Sequence, residues 1–234
     1  MFRFTQGPND MAEGPTLAST GQLMSRAVPY RPALIYTLAE RCVSLVALVI
    51  VAPVILLMMI AVRIDSPGPA LFFQDRIAVG AKRPFRFIKI RTMYCDARTR
   101  WPELYETNFT PDQLPQVRLT LKEDPRVTPL GRFLRKTSLD ELPNFWNVVI
   151  GDMRLVGPRP ETWEMLPHYD ARTLQKFDVK PGVTGYAQVL GRGDLTFTET
   201  VELDLRYVRD ASLKTDLWCI KETIIAVFLQ RGAY

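Results

Sequence analysis

The longest apolar run in the chain, VSLVALVIVAPVILLMMIAV from Val43 to Val62, holds no charged residue and is closed by Arg41 and Arg63. At about 1.5 Å of rise per residue a helix of this length reaches across a hydrocarbon core of roughly 30 Å. Pro53 stands at its centre, where proline removes a main-chain hydrogen bond and crowds the carbonyl four residues back, so the pattern predicts a kinked helix over residues 36–64. Basic residues favour the cytoplasmic side of a membrane. Arg26, Arg31 and Arg41 precede the run, and Arg63, Arg76, Lys82, Arg83 and Arg86 follow it. A re-entrant helix that turns at Pro53 and leaves by the face it entered satisfies both ends. A straight span is the alternative; a buried soluble helix is seldom charge-free for so long.

Other periods follow. ALFFQDRI and PFRFIKIR have strand character on either side of a Gly80-Ala-Lys-Arg turn and predict a β-hairpin. Residues 94–122 are broken by Trp101-Pro102, Thr110-Pro111 and Leu114-Pro115, which allows only short helices and loops. From GRFLRKTSLDELPNFWNVVIGDM the helical period returns: Leu139, Leu142, Phe145, Trp146, Val149 and Ile150 form an apolar stripe, with Asp140, Asn144 and Asn147 on another face. TVELDLRYVRD and LKTDLWCIKETIIAVFLQRG predict two further helices, the last suited to the core or to a membrane interface. Residues 1–35, with scattered Gly-Pro and polar residues, read as a flexible arm without the apolar core of a secretory signal. The fold expected is α+β and helix-rich: a membrane-inserted helix, a small hairpin, and a catalytic domain over 65–234.

Composition narrows the chemistry. Of 234 residues 47% are hydrophobic, ordinary for a folded protein, and the formal charge is +5. A pI near 9.2 suits an anionic partner, whether nucleic acid, nucleotide or membrane surface. Cys42, Cys95 and Cys219 are odd in number and widely spaced, which supports neither a disulfide framework nor a zinc site. His168 is the only histidine, which removes every mechanism needing two and argues against a Ser-His-Asp site; it reads as a structural or surface residue.

Ser138-Leu-Asp140-Glu141 fits a capping box, in which Ser138 would accept from the Glu141 amide. Pro143 complicates a helix starting at Leu139, which would kink early or begin near Pro143. Either way Asp140 falls near a helix N-terminus, where anions are favoured. Asp140 is then a candidate nucleophile toward phosphorus, and Glu141 a cap or a Mg²⁺ ligand. Phosphoryl transfer needs cations as much as a nucleophile. Arg91 in KIRTM, Arg126 in DPRVT, Arg135 before the carboxylates, Arg159 in GPRP and Arg192 in LGRGD recur in Gly/Pro-fixed contexts that suit anion ligands. Gly182, Gly185, Gly191 and Gly193 permit close main-chain approach, but no P-loop or GxGxxG is present.

The apolar stretch with Pro53, SPGPALFFQDR, FRFIKIRTM, DPRVTPLGRFLRKTSLDELPNFWNVVIGDMRLVGPRPE, KPGVTGYAQVLGRGD and ELDLRYV, in that order over about residues 36–230, resemble the bacterial sugar transferases, monotopic phosphoglycosyl transferases. The resemblance implies transfer of a sugar phosphate from a UDP-sugar to polyprenyl (undecaprenyl) phosphate at the bacterial inner membrane, with release of UMP and the catalytic domain cytoplasmic. It matches Asp140 to a nucleophile that forms a covalent phosphosugar intermediate and Glu141 to its partner in binding Mg²⁺. Arg135, Arg159 and Arg192 fall in segments expected to face phosphate or nucleotide, and Asp204 is a further candidate carboxylate. Ala52 stands where the family commonly has serine before the proline, and Ala78 where glycine is common. The partners implied are the UDP-sugar, the polyprenyl phosphate and the bilayer, with no nucleic acid; a homo-oligomer stays open. A Mg²⁺-dependent lipid-diphosphate hydrolase and a non-enzymatic basic membrane-tethered module are the competing readings.

Overall fold

A computed structural model describes residues 32–228 except 119 and 122; the arm expected over 1–35 falls almost wholly outside the described residues. The first element, α1, runs over Leu34–Asp65 and is continuous through Pro53. One edge of it faces the rest of the protein. Glu40, Ser44 and Val62 are buried, while Val49, Ile50 and Leu57 between them stay exposed.

Both ends of α1 are fastened to the same body. Near its start, Glu40 accepts from Arg154 Nε at 3.1 Å, and Tyr36 donates to Asp216 at 3.2 Å. Near its end, the Arg91 guanidinium donates to the carbonyls of Val62 at 3.3 Å, Ser66 at 2.6 Å and Pro67 at 2.5 Å. These carbonyls are left over where a helix stops, and a buried arginine satisfies several at once. Val62 packs there with Ala70, Ile90 and Leu134.

β1 (Leu71–Ile77) and β2 (Pro84–Ile90) form the expected antiparallel hairpin, with Leu71 opposite Ile90 and Ile77 opposite Pro84. Gly80 makes the turn between them with φ 78°, a conformation natural to glycine. The following segment holds only short pieces, α2 (Ala97–Arg100) and single turns at Pro102–Tyr105 and Leu114–Gln116. α3 (Pro129–Thr137) opens with Thr128 Oγ1 accepting from the Gly131 amide at 2.9 Å and with proline at its first position. A Cβ on Gly131 would lie 2.1 Å from the Thr92 carbonyl, so glycine is what lets α3 sit against the end of β2.

One expectation for the next stretch is overturned, and another, a helix that begins near Pro143, is met. Ser138 stands before Leu139–Asn144 but does not cap it with its side chain: its φ of 59° is left-handed, its amide donates to the Leu134 and Arg135 carbonyls to end α3, and its side chain makes no capping bond. Leu139–Asn144 is a tight 3₁₀ segment, and α4 (Phe145–Ile150) starts only after Pro143. The capping box forms at Thr196-Phe-Thr-Glu199, which carries the same spacing. Of the apolar stripe, Leu139, Leu142, Phe145 and Val149 are half-buried. Asp140, Asn144 and Asn147 point inward, Asn147 donating to the Arg86 carbonyl at 2.8 Å, while Trp146 and Ile150 lie 45% and 48% exposed.

A parallel pair that the sequence did not suggest joins β3 (Arg154–Val156) to β4 (Gly182–Thr184). Each is three residues long, too short for a period to register. Backbones meet closely here: a Cβ on Gly182 would fall 2.0 Å from the Gly157 amide nitrogen. α5 (Tyr186–Leu190), α6 (Phe197–Asp210) and α7 (Leu213–Phe228) complete the chain. Ile77, Met165, Tyr169, Phe177, Phe197 and Leu205 form one core; Val156, Tyr186, Tyr207 and Cys219 form another. Leu217, Trp218 and Ile224 of α7 are exposed.

Arg154 ties these layers together. It reaches Asp216 of α7 at 2.7 Å as well as Glu40, and Tyr207 of α6 donates to the other Asp216 oxygen at 2.7 Å. Asp216 is fully buried and Glu40 nearly so. Removing one partner of such a group strands the others without water. Arg154→Ala is therefore expected to destabilise the protein by roughly 3–5 kcal/mol, read as a fall in melting temperature of the purified protein.

Candidate active site

Asp140 lies in the Leu139–Asn144 segment with 6% of its surface exposed. Burial pushes its carboxyl from 3.8 up to about 6, the charge of Glu141 adds to that, and Lys89, Arg135 and Arg159 pull it back down. The same neighbours act on Lys89 of β2, whose ammonium is pushed down to about 8 by burial despite the attraction of Asp140 and Glu141. Two adjacent carboxylates thus sit among cations from three separate elements. The favourable setting expected from a helix N-terminus is supplied instead by these side chains.

Each cation is held. Arg135 of α3 donates from Nε to Thr92 Oγ1 at 3.0 Å and faces Asp124 at 3.9 Å. Burial lowers its pKa, against the charges of Asp140 and Asp124. Arg159 faces Glu141 at 3.6 Å from the loop after β3, and both side chains remain partly open to solvent. In water that pair contributes under about 1 kcal/mol, so it orients Arg159 loosely and leaves it free to take a stronger anion. The loop itself is fixed more firmly. Asp204 of α6, fully buried, accepts from the Arg159 amide at 3.3 Å and pairs with Lys176 at 3.0 Å. Lys176 is buried too; burial works against its charge, but Tyr169, Asp204 and Glu161 hold its pKa well above the usual lysine range. Asp204 therefore supports the Arg159 loop from beneath.

Arg76 braces the loop from the hairpin, donating to the Pro160 carbonyl at 3.0 Å, while the Ile77 amide donates to Glu161 at 2.9 Å. Neither Lys89 nor Arg76 was singled out from the sequence. Lys89 is one of three basic residues in PFRFIKIR, and only the folding of 139–144 onto β2 distinguishes it from Arg86. Two of the arginines expected at the site are committed elsewhere. Arg91 closes the end of α1 and also touches Cys95; Arg126 forms a two-pronged pair with Asp124 at 2.8 Å and donates to the Leu104 carbonyl at 2.7 Å. Arg126 thereby props Asp124 and, through it, Arg135. Arg192 starts the turn Arg192–Asp194, and its side chain lies outside the described residues. His168 bonds the Thr107 carbonyl at 2.6 Å and packs on Phe109, the structural part expected of it.

A small cleft, with a cavity volume of about 10 Å³, adjoins Glu141 and Arg159; Arg76, Phe87, Asn144 and Gln188 line it as well. Among the described residues no three His, Cys, Asp or Glu side chains gather as a metal-binding group. What the site offers is a buried carboxylate, a more open one beside it and an excess of cations, a setting for a substrate bearing several phosphate charges.

The sequence of this chain matches the bacterial sugar transferase family over residues 32–230. A galactosyl transferase, CpsE, of Streptococcus agalactiae is 39% identical over 191 residues, which cover 81% of this chain and 41% of that protein. The exopolysaccharide production protein ExoY of Rhizobium meliloti is 38% identical over 191 residues, covering 81% of this chain and 83% of its own length. A UDP-glucose:undecaprenyl-phosphate glucose-1-phosphate transferase of Caulobacter vibrioides is 37% identical over 230 residues, covering 94% and 78%. The chain thus spans less than half of CpsE and most of the other two.

The raised pKa of Asp140 has a consequence for stability. The folded protein holds this proton more tightly than the unfolded chain does, so ionising Asp140 weakens the fold as pH rises from about 4 to about 6 and by a constant amount above that. Asp140→Asn keeps the shape without the charge. In metal-free protein it is expected to match the parent near pH 4 and to exceed it by up to about 3 kcal/mol above pH 6, measured by thermal or denaturant melts across that range.

Proposed function

Because this chain belongs to the bacterial sugar transferase family, we propose that it is a membrane-bound phosphoglycosyl transferase moving a sugar phosphate from a UDP-sugar to undecaprenyl phosphate. The observation that carries the reading is the placement of Asp140, buried beside Glu141 and under the charges of Lys89, Arg135 and Arg159. An Asp140 oxygen attacks the β-phosphorus of the UDP-sugar. The bond from that phosphorus to the bridging oxygen breaks, and UMP leaves with the oxygen. A phosphate oxygen of the polyprenyl acceptor then attacks the aspartyl phosphosugar, giving a polyprenyl diphosphate sugar and restoring the Asp140 carboxylate. Dividing one displacement into two lets each substrate leave before the next needs the same cations. Lys89, Arg135 and Arg159 bind and orient the phosphates and oppose the charge that builds on their oxygens.

The donor set also fits Mg²⁺. Asp140 and Glu141 supply hard oxygen ligands from one segment, and this ion is commonly bound by one or two carboxylates plus substrate phosphates and water. Glu141, the more open of the two, is the better placed to meet a metal arriving with the nucleotide. When bound, the ion would neutralise phosphate charge and polarise the bond that breaks.

The apolar exposure of α1, with Trp146, Ile150, Trp218 and Ile224, supports a membrane position. Attachment of both ends of α1 to one charged body supports re-entry over a crossing. A helix of 32 residues is about 48 Å long, and ends on opposite sides would draw that body through the hydrocarbon. The lipid acceptor then reaches the site along the membrane and the nucleotide from the cytoplasm.

Asp140→Asn is expected to lower sugar-phosphate transfer, measured as UMP release with polyprenyl phosphate, by about a thousandfold or more. Mixing the protein with UDP-sugars and no acceptor should give a phosphosugar adduct on Asp140 by mass spectrometry. Transfer that survives the substitution would remove Asp140 as nucleophile, and phosphate release without lipid product would favour a hydrolase. For the helix, Ile35→Cys and Ile64→Cys, placed at residues 79% and 82% exposed, in a background lacking the native cysteines should react with an impermeant maleimide from the same side. Reaction from opposite sides would establish a spanning helix.

A further inference from the structure

Arg159 is aimed by its main chain, because little holds its side chain. The guanidinium meets Glu141 only at 3.6 Å, with the side chain 49% exposed. Pro158 and Pro160 flank it, and since proline has no N–H the Arg159 amide is the only main-chain donor of the three. Asp204 Oδ1 accepts from that amide at 3.3 Å. The Pro158 carbonyl accepts from the Gly182 amide at 2.9 Å and the Pro160 carbonyl from Arg76 at 3.0 Å, so the loop is gripped on either side of the arginine as well.

Beneath this loop lies one lysine. Lys176, in the short segment Thr173–Asp178, is 1% exposed, and its Nζ reaches Asp204 Oδ2 at 3.0 Å, the Tyr169 hydroxyl at 3.2 Å and Glu161 Oε2 at 3.6 Å. Tyr169 in turn donates to Glu161 Oε2 at 3.1 Å. Both carboxylates lead back to the loop. Asp204 holds the Arg159 amide, and Glu161 is the loop residue two places on, its main-chain carbonyl accepting from the Ile77 amide of β1 at 2.9 Å. Two buried carboxylates around one ammonium repel each other, and burial favours their neutral forms. Burial and Glu161 both push the Asp204 carboxyl up, while Lys176 and the Arg159 amide pull it down. A lysine is almost never this buried unless it is paired. Resting on the reading of this chain as a UDP-sugar transferase, we propose that Lys176 is the positioning residue for Arg159: it meets no substrate, and by holding Asp204 and Glu161 together it fixes where the arginine points. Tyr169 is the second member of the device, bridging Lys176 and Glu161.

A double-mutant cycle on UDP binding tests this, measured by calorimetry on the full chain in nanodiscs at fixed Mg²⁺. Arg159→Ala should weaken UDP by about tenfold or more. Lys176→Met, of similar length and without the charge, should weaken it by about fivefold, and the double variant should bind within about twofold of Arg159→Ala alone. Residues that act through one another do not add. A merely structural lysine gives a different result: its loss either leaves UDP binding unchanged or multiplies the loss from Arg159→Ala, and each of these overturns the proposal. Tyr169→Phe removes only a hydroxyl and leaves the lysine in place, so it carries the same cycle where Lys176→Met does not fold. Its loss of about two- to threefold in UDP binding should vanish in the Arg159→Ala background, and a loss that persists there overturns the proposal. So does an Arg159→Ala protein that binds UDP as the wild type does. These outcomes are separate from those at Asp140: binding needs no turnover, and transfer surviving Asp140→Asn leaves the cycle untouched.

Discussion

The rest of the structure depends on one mechanical constraint, the fastening of both ends of a long apolar helix to the same polar body. Arg154 holds Glu40 near the start of α1, and Arg91 gathers the carbonyls at its end. Neither contact is strong by virtue of charge alone. Desolvating an arginine is costly, and the contact survives because several acceptors converge on each guanidinium. The two arginines tie this helix to different elements: Arg154 to α6 and α7, and Arg91 to the hairpin whose strand β2 carries Lys89. The apolar helix and the cations around Asp140 are therefore placed by the same joints.

The site is built from charges brought together by short, stiff pieces rather than by long regular elements. Asp140 sits in a six-residue tight segment, Arg159 in a loop pinned from below by Asp204 and from the side by Arg76, and Arg135 at the end of a nine-residue helix. Such pieces have little propensity of their own. Buried pairs stabilise them: Lys176 with Asp204 and Glu161, and Arg126 with Asp124. The arrangement keeps Asp140 buried and Arg159 partly open.

Long-period features were legible in the sequence. The helix about Pro53, the hairpin, the two C-terminal helices, the structural histidine and the free cysteines follow from patterns of five residues or more, or from counts. The family resemblance was legible too, because its motifs recur in order. Failures cluster where one residue serves two purposes. Ser138 carries the capping signature but is drawn into a left-handed turn that ends α3, and the box forms at Thr196 instead. The stretch from Leu139 to Ile150 has helical spacing, yet its polar side, with Asp140, Asn144 and Asn147, faces inward.

The sequence alone determined which residue types were available, in what order, and that one segment is too apolar for water. Local physics suffices for that: periodicity, proline geometry and charge are properties of neighbours along the chain. Only the tertiary structure decided which cations meet Asp140. Lys89 was chosen over Arg86, and Arg159 was left open where Arg91 and Arg126 were spent on carbonyls and on Asp124. Each of those partners lies on a different segment. The energy of a charge depends on the distances and burial created when segments pack, and no local pattern encodes either.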